Sequence, residues 1–184
     1  MIVKLKTPIN AEEIAKLKIG DKVLITGEIY TARDAAHKRV LEGIDAGKPA
    51  PFNLKGAVIY YVGPSPAKPG QPIGSCGPTT SGRMDPYTPR ILELGAKILI
   101  GKGNRSANVI ETLKKNKAVY LAATGGAAAL LAKCVKKAEP VAYSDLGAES
   151  IQRLTVEDFP ATVVNDTTGA DLYVEGIAKF AIEK

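Results

Sequence analysis

The sequence predicts an α/β fold layered around a mixed, partly parallel sheet, and three observations carry that expectation. Short apolar runs with good β propensity alternate with stretches of helical periodicity along most of the chain. Glycine and proline mark several boundaries, with Gly47 and Pro49 after one helical stretch and Gly125-Gly126 before another. Strand–helix alternation of this kind belongs to sheets with parallel strands, whose ligands favour the loops that leave the strands' carboxyl ends.

The elements follow in order. Asn10-Ala11-Glu12-Glu13 reads as a capping box that opens a short helix. Residues 22–27 read as a strand, and residues 32–46 as a helix with Ala36, Val40, Leu41 and Ile44 at apolar spacing. Residues 57–62 read as a buried strand. The Pro/Gly-rich stretch 63–78 has neither period, and a loop of that length in a compact fold is expected to be functional or disordered. Beyond it come a helix at 89–94, a strand at 97–100, a helix at 107–115 and an apolar strand at 118–123. An Ala-rich helix at 127–136, strands near Val141 and at 162–164, and a closing helix at 174–182 complete the expectation.

Composition narrows the function. At 184 residues and 45% hydrophobic, the chain can bury a proper core, and a single domain over 1–184 is expected. The longest apolar stretches, 118–123 and 127–132, are too short to span a bilayer, and the opening residues lack the apolar run of a signal peptide. The expected location is the cytoplasm. Cys76 and Cys134 are too few for a disulfide framework and form no Cys-x-x-Cys pair. The formal charge of +6 comes from scattered lysines, densest at 114–117 and 133–137 near expected helix C-termini, where cations complement the dipole. With 5% aromatic residues and no Trp, stacking platforms for nucleic acid are poorly supplied, so an acidic small molecule suits the charge better.

The most informative segment is Gly74-Ser75-Cys76-Gly77-Pro78-Thr79-Thr80-Ser81-Gly82-Arg83-Met84-Asp85-Pro86-Tyr87-Thr88-Pro89. Thr79 can serve as a helix N-cap, with Arg83 one turn later on the same face. Free amides, a hydroxyl and a guanidinium would then converge on a carboxylate or phosphate. The plainer reading is a turn that only caps a helix. Two nucleotide motifs fail. Residues 95–102 end in Gly-Lys but lack both the spacing and the following Ser or Thr of a P-loop, and Gly101-Lys102-Gly103 lacks the third glycine of a dinucleotide fingerprint. The single histidine, His37, excludes a two-His metal site and has no nucleophile beside it in sequence, leaving a polar residue on the helix's outer face or a site role.

The whole Gly-Pro-Thr-Thr-Ser-Gly-Arg-Met-Asp run resembles a segment of the class I, iron–sulfur-dependent fumarases and the related L-tartrate dehydratases. Upstream, Arg33-Asp34-Ala35-Ala36-His37 resembles the family's Arg-Asp-Ala-Ala-His segment. Downstream, Gly101-Lys102-Gly103-Asn104-Arg105-Ser106 and Glu157-Asp158-Phe159-Pro160-Ala161 resemble its later blocks. The likeness runs over roughly residues 7–184, the part of those enzymes that is either a C-terminal domain or a separate β subunit. It implies a swivelling β/β/α domain, a refinement that periodicity does not supply.

The resemblance also implies roles. Arg33, Arg83 and Lys102 would bind substrate carboxylates, and Thr79 would stand beside the carbon that loses or gains the proton, although a Thr hydroxyl is a poor base at its ordinary pKa. The family's electrophile is a [4Fe–4S] cluster held by three thiolates, and this chain has two cysteines, so the cluster is expected on a partner α subunit and no metal on this chain. Fumarate/malate, or tartrate, would be turned over at the interface of a heterotetramer of two α and two β subunits. Cys76 reads as a small buried residue. A domain that binds carboxylates without chemistry is the alternative from a different class.

Overall fold

The computed structural model describes residues 2–182. In chain order the elements are β1 (Ile2–Lys6), α1 (Ala11–Lys16), β2 (Lys22–Thr31), α2 (Asp34–Asp45), β3 (Val58–Tyr60), α3 (Thr88–Glu93), β4 (Ile98–Gly101) and α4 (Ala107–Asn116). They continue with β5 (Val119–Ala122), α5 (Ala128–Cys134), β6 (Val135–Ala142), β7 (Ile151–Asn165) and α6 (Leu172–Phe180). The mixed α/β expectation holds. One sheet of seven strands runs β1-β2-β3-β4-β5-β7-β6, with β1 to β5 parallel and β7 antiparallel to β2, β5 and β6.

Because β7 pairs with β5 at one end and along β2 for most of its length, the sheet curls back on itself. Alternate residues of the central strands then serve two cores. Val58, Tyr60, Ile98, Ile100, Val119 and Leu121 face inward against Ile25, Ile29, Leu154, Phe159 and Val163. The intervening Ile59, Leu99 and Tyr120 face outward under α2, α3 and α4, which contribute Val40, Leu92 and Leu113. A period of two in the strands thus becomes a β layer, a second β layer and a helical layer.

Several boundaries differ from the sequence reading for identifiable reasons. The capping box forms as expected, Glu13 N–H donating to Asn10 Oδ1 at 2.8 Å and Asn10 N–H to Glu13 Oε2 at 3.1 Å. β1 was not expected, since only Leu5 of its residues is buried. β2 continues past Gly27, where it bulges: Gly27 has φ 118°, and a Cβ there would stand 2.2 Å from Thr7 Oγ1. The helix expected at 127–136 stops at Cys134, and β6 begins at the next residue because Val135 enters the inner core and pairs with Val156. β7 is far longer than the 162–164 strand expected. Its buried Ile151, Leu154, Val156, Phe159, Ala161 and Val163 are separated by charged residues and Pro160, which hide the pattern.

Phe159 packs edge-on against Tyr60 at 5.1 Å between centroids, in the core that the curl of β7 encloses. Phe159→Ala is expected to lower stability by about 3–5 kcal/mol, read from urea unfolding at constant m-value.

Candidate functional site

Arg33, Thr79 and Lys102 all stand where parallel strands end. Arg33 follows β2 in extended conformation (φ −122°, ψ −164°) and starts α2, while Lys102 directly follows Gly101 at the end of β4. Thr79 returns from the long loop after β3 and inserts between the ends of β3 and β4. Its amide donates to Tyr61 O at 2.7 Å, its carbonyl accepts from Lys102 N–H at 3.2 Å, and Ser81 N–H donates to Lys102 O at 2.8 Å. The chain enters this position through an antiparallel bridge between Val62 and Pro78 and leaves it through a parallel bridge between Thr80 and Lys102. Loops that leave the carboxyl ends of parallel strands are where ligands of α/β folds are favoured.

The N-cap expected at Thr79 is not there. Residues Ser81–Met84 form a single 3₁₀ turn, Thr80 precedes it, and no side chain caps it. Thr79 has joined the sheet edge instead, because its backbone groups are taken by Tyr61 and Lys102. Its half-buried hydroxyl has no hydrogen-bond partner among the described residues. The ammonium of exposed Lys102 likewise has none there, and its aliphatic stem lies over Gly125, where a Cβ would sit 3.5 Å from Cδ.

Arg33 and Arg83 are joined through one carboxylate. Arg83 Nε donates to Asp34 Oδ1 at 2.9 Å, and Arg33 Nη2 lies 3.6 Å from Asp34 Oδ2 and 3.5 Å from Glu149 Oε1. Glu149 also accepts Ala35 N–H at 3.0 Å, which ties the segment before β7 to the first turn of α2. Arg33 lies across Gly63, whose Cβ would stand 2.5 Å from Nη1, so only glycine fits there without moving the guanidinium. These two cations and two carboxylates balance, so with Lys102 the strand ends carry one net positive charge, suited to an anion.

Beneath it lies a buried polar layer. Arg105, its side chain fully enclosed, donates from Nε to Asp85 Oδ1 at 2.8 Å and from Nη2 to Thr88 Oγ1 at 2.7 Å. Its guanidinium also packs over the rings of Tyr61 and Tyr120, 5.4 and 5.0 Å from their centroids. Asp85 Oδ2 accepts Ser106 N–H at 2.7 Å, so Asp85 and Arg105 fasten the 3₁₀ turn to the loop after β4. Tyr120 donates to Gly103 O at 2.9 Å, and Ser81 therefore donates to the Tyr120 oxygen, also at 2.9 Å. Ser81 packs so closely on β4 that a Cβ at Gly101 would meet its Oγ at 2.0 Å.

Residues 1–176 match the sequence profile described as Fumarase C-terminus. The chain belongs to that family. It is 40% identical over 180 residues to fumarate hydratase 2 of Leishmania major, covering 96% of this chain and 32% of that protein. It is 41% identical over 169 residues to the anaerobic class I fumarate hydratase of Escherichia coli strain K12, covering 91% of this chain and 31% of that one. The chain thus spans about a third of the length of these relatives. Against the putative L(+)-tartrate dehydratase subunit beta of Methanocaldococcus jannaschii it is 38% identical over 173 residues, and there the match covers 89% of the relative.

In this member of the Fumarase C-terminus family, His37 is not on the outer face of its helix. It is 1% exposed, its ring near those of Tyr61 and Tyr87, and Nδ1–H donates at 2.8 Å to Arg33 O, which can only accept. Burial pulls its pKa down to about 4; the Arg33 carbonyl works against that, and the Arg105 charge adds to it. The ring is neutral at pH 7. Cys76 is fully buried, and burial pushes its thiol up to about 12. A cleft of about 440 Å³ between the long loop and α5, lined by Ser65, Ile73, Ser75, Ala132 and Lys133 among others, is not lined by Arg33, Thr79, Arg83 or Lys102. No helix among the described residues is long and apolar enough to cross a membrane.

A histidine held neutral by burial makes stability depend on pH, because the unfolded state takes up a proton near pH 6.5 and the folded state only near 4. This contribution is fully present above pH 6.5 and is lost as pH falls towards 4. Its size is on the order of 3 kcal/mol, at about 1.4 kcal/mol per pKa unit. His37→Asn, which keeps a donor for Arg33 O, is expected to lose less stability than the unsubstituted protein between pH 7 and 4.5. Urea unfolding at a series of pH values checks this.

Proposed function

We propose that this chain is the β-type part of a [4Fe–4S]-dependent class I fumarate hydratase, acting on fumarate and L-malate together with a cluster-bearing α subunit. The observation that carries the reading is the gathering of Arg33, Thr79, Arg83 and Lys102 at the carboxyl ends of β2, β3 and β4, with the Thr79 hydroxyl and the Lys102 ammonium uncommitted among the described residues. Kinship with fumarate hydratases supports it. Two free thiols suit a reducing, cytoplasmic setting.

In this reading Arg83 and Lys102 take the two substrate carboxylates with help from Arg33, whose charge is already shared by Asp34 and Glu149. Fixing both ends of a dicarboxylate sets the carbon next to one carboxylate against the Thr79 hydroxyl, where the proton is moved. Thr79 is bonded through its backbone to Lys102, which fixes the register of the two residues at the strand ends. A cluster held by the partner would supply the electrophile that the residues of this chain lack. The residues of this chain do not fit that cluster. Cys76 is enclosed and held as a thiol, only Cys134 remains, and three thiolates are required. Among the described residues no group of three His, Cys, Asp or Glu is placed to hold a metal. The reading therefore assigns the cluster to the partner.

A second reading, the β subunit of an L-tartrate dehydratase, is favoured by the match along most of the M. jannaschii β subunit. Co-expression with a cluster-bearing α subunit, anaerobic purification and absorbance assays on malate and tartrate separate the two. Turnover only in the complex is expected, and the better substrate decides the name. A complex inert towards both would overturn the reading. Thr79→Val is expected to lower kcat at least a hundredfold with KM nearly unchanged, and full activity would leave a carboxylate-binding domain without chemistry. Arg83→Lys is expected to raise KM about tenfold, because a point charge cannot reproduce a bidentate grip.

A further inference from the structure

Arg83 has a half-exposed side chain, 53% accessible, on a single 3₁₀ turn. Left alone, so long a side chain samples many rotamers, and a guanidinium that must meet a carboxylate edge-on would be in the wrong plane most of the time. Asp34 restrains it. By accepting Nε–H at 2.9 Å, Asp34 Oδ1 fixes one corner of the planar group. The two Nη atoms have no hydrogen-bond partner among the described residues.

Asp34 also faces the second cation. Its Oδ2 is buried without a hydrogen-bond partner and lies 3.6 Å from Arg33 Nη2, while Arg33 Nε is buried and equally unpartnered. Two guanidinium groups converging on one small anion repel each other, and one carboxylate between them lowers that cost and sets their separation. Glu149 holds Arg33 from its other side at 3.5 Å. Asp34 is the first residue of α2, where an acidic group also complements the helix dipole, but that effect accounts neither for the contact to Arg83 nor for the one to Arg33.

We propose that Asp34 is a positioning residue: it presents the Nη edge of Arg83 to one substrate carboxylate and holds Arg33 beside it, so that affinity for that carboxylate passes through Asp34. The inference rests on the carboxylate-binding role proposed above for Arg83.

The test is a double-mutant cycle in the reconstituted complex with Asp34→Ala, Asp34→Asn, Arg83→Ala and Asp34→Ala/Arg83→Ala. Asp34→Ala is expected to raise KM for the dicarboxylate about tenfold while kcat falls less than threefold, and Asp34→Asn, which keeps an acceptor oxygen, to recover part of the loss. In the Arg83→Ala background the same change is expected to alter KM less than twofold. An unchanged KM in Asp34→Ala, or effects of the two residues that simply multiply, would overturn the proposal. A second readout needs no turnover. In ¹H–¹⁵N spectra of this chain, the Arg83 Nε–H is expected to exchange slowly with water, to exchange fast in Asp34→Ala, and to stay partly protected in Asp34→Asn. Fast exchange in the unsubstituted chain contradicts the proposal even if the complex is active. Slow exchange that depends on Asp34, in a complex inert towards every dicarboxylate, removes the fumarase reading and leaves the Asp34–Arg83 contact standing.

Discussion

Between the carboxyl ends of β3 and β4, three backbone hydrogen bonds hold residues 79–81 where the sheet would otherwise stop: Thr79 to Tyr61, Lys102 to Thr79, and Ser81 to Lys102. Each is worth only about 1 kcal/mol net. Their value is directional, since they place a threonine from a long loop and a lysine from a strand end side by side at fixed register. The 3₁₀ turn that carries Arg83 starts at Ser81, so its position depends on the same three bonds. Glycine at 101 is part of this arrangement, because any side chain there would occupy the space of Ser81.

Two electrostatic layers with different physics lie around that wedge. The lower one is dry. Arg105 is enclosed with Thr88 and two tyrosine rings against the partly covered Asp85, and removing Asp85 would strand the Arg105 charge where water cannot reach it. It is a rigid floor. The upper layer of Arg33, Asp34, Arg83 and Glu149 is partly solvated, so its ion pairs are weak as stabilisers and sensitive to salt. Their part is to orient the guanidinium groups, not to stabilise the fold.

Much of this was legible in the sequence. The capping box at Asn10, the helices over 107–115 and 89–94 and the buried strands appear within a few residues of their expected bounds, because caps and apolar periods are local signals. β7 was read only in its last few residues, since its longest partner, β2, is remote in sequence and Pro160 interrupts its pattern. At the site, the residue types of the Thr-Thr-Ser-Gly-Arg segment pointed to an anion. The route by which they meet one did not follow, because Thr79 is a piece of sheet edge and not a helix cap. Asp34 stood beside Arg33 in a segment already singled out, and its spacing gave no hint of Arg83. Glu149 carried no local signal, lying 114 residues from the Ala35 amide it binds.

The proposed function requires one anion site where β2, β3 and β4 end. An experimental structure of this chain with its cluster-bearing partner and a bound dicarboxylate tests it most directly. One carboxylate is expected on the Nη edge of Arg83, the other within reach of Lys102, and the Thr79 hydroxyl beside the carbon between them. A dicarboxylate seated elsewhere, for instance in the cleft between the long loop and α5, with the Thr79 hydroxyl still unpartnered, would contradict it.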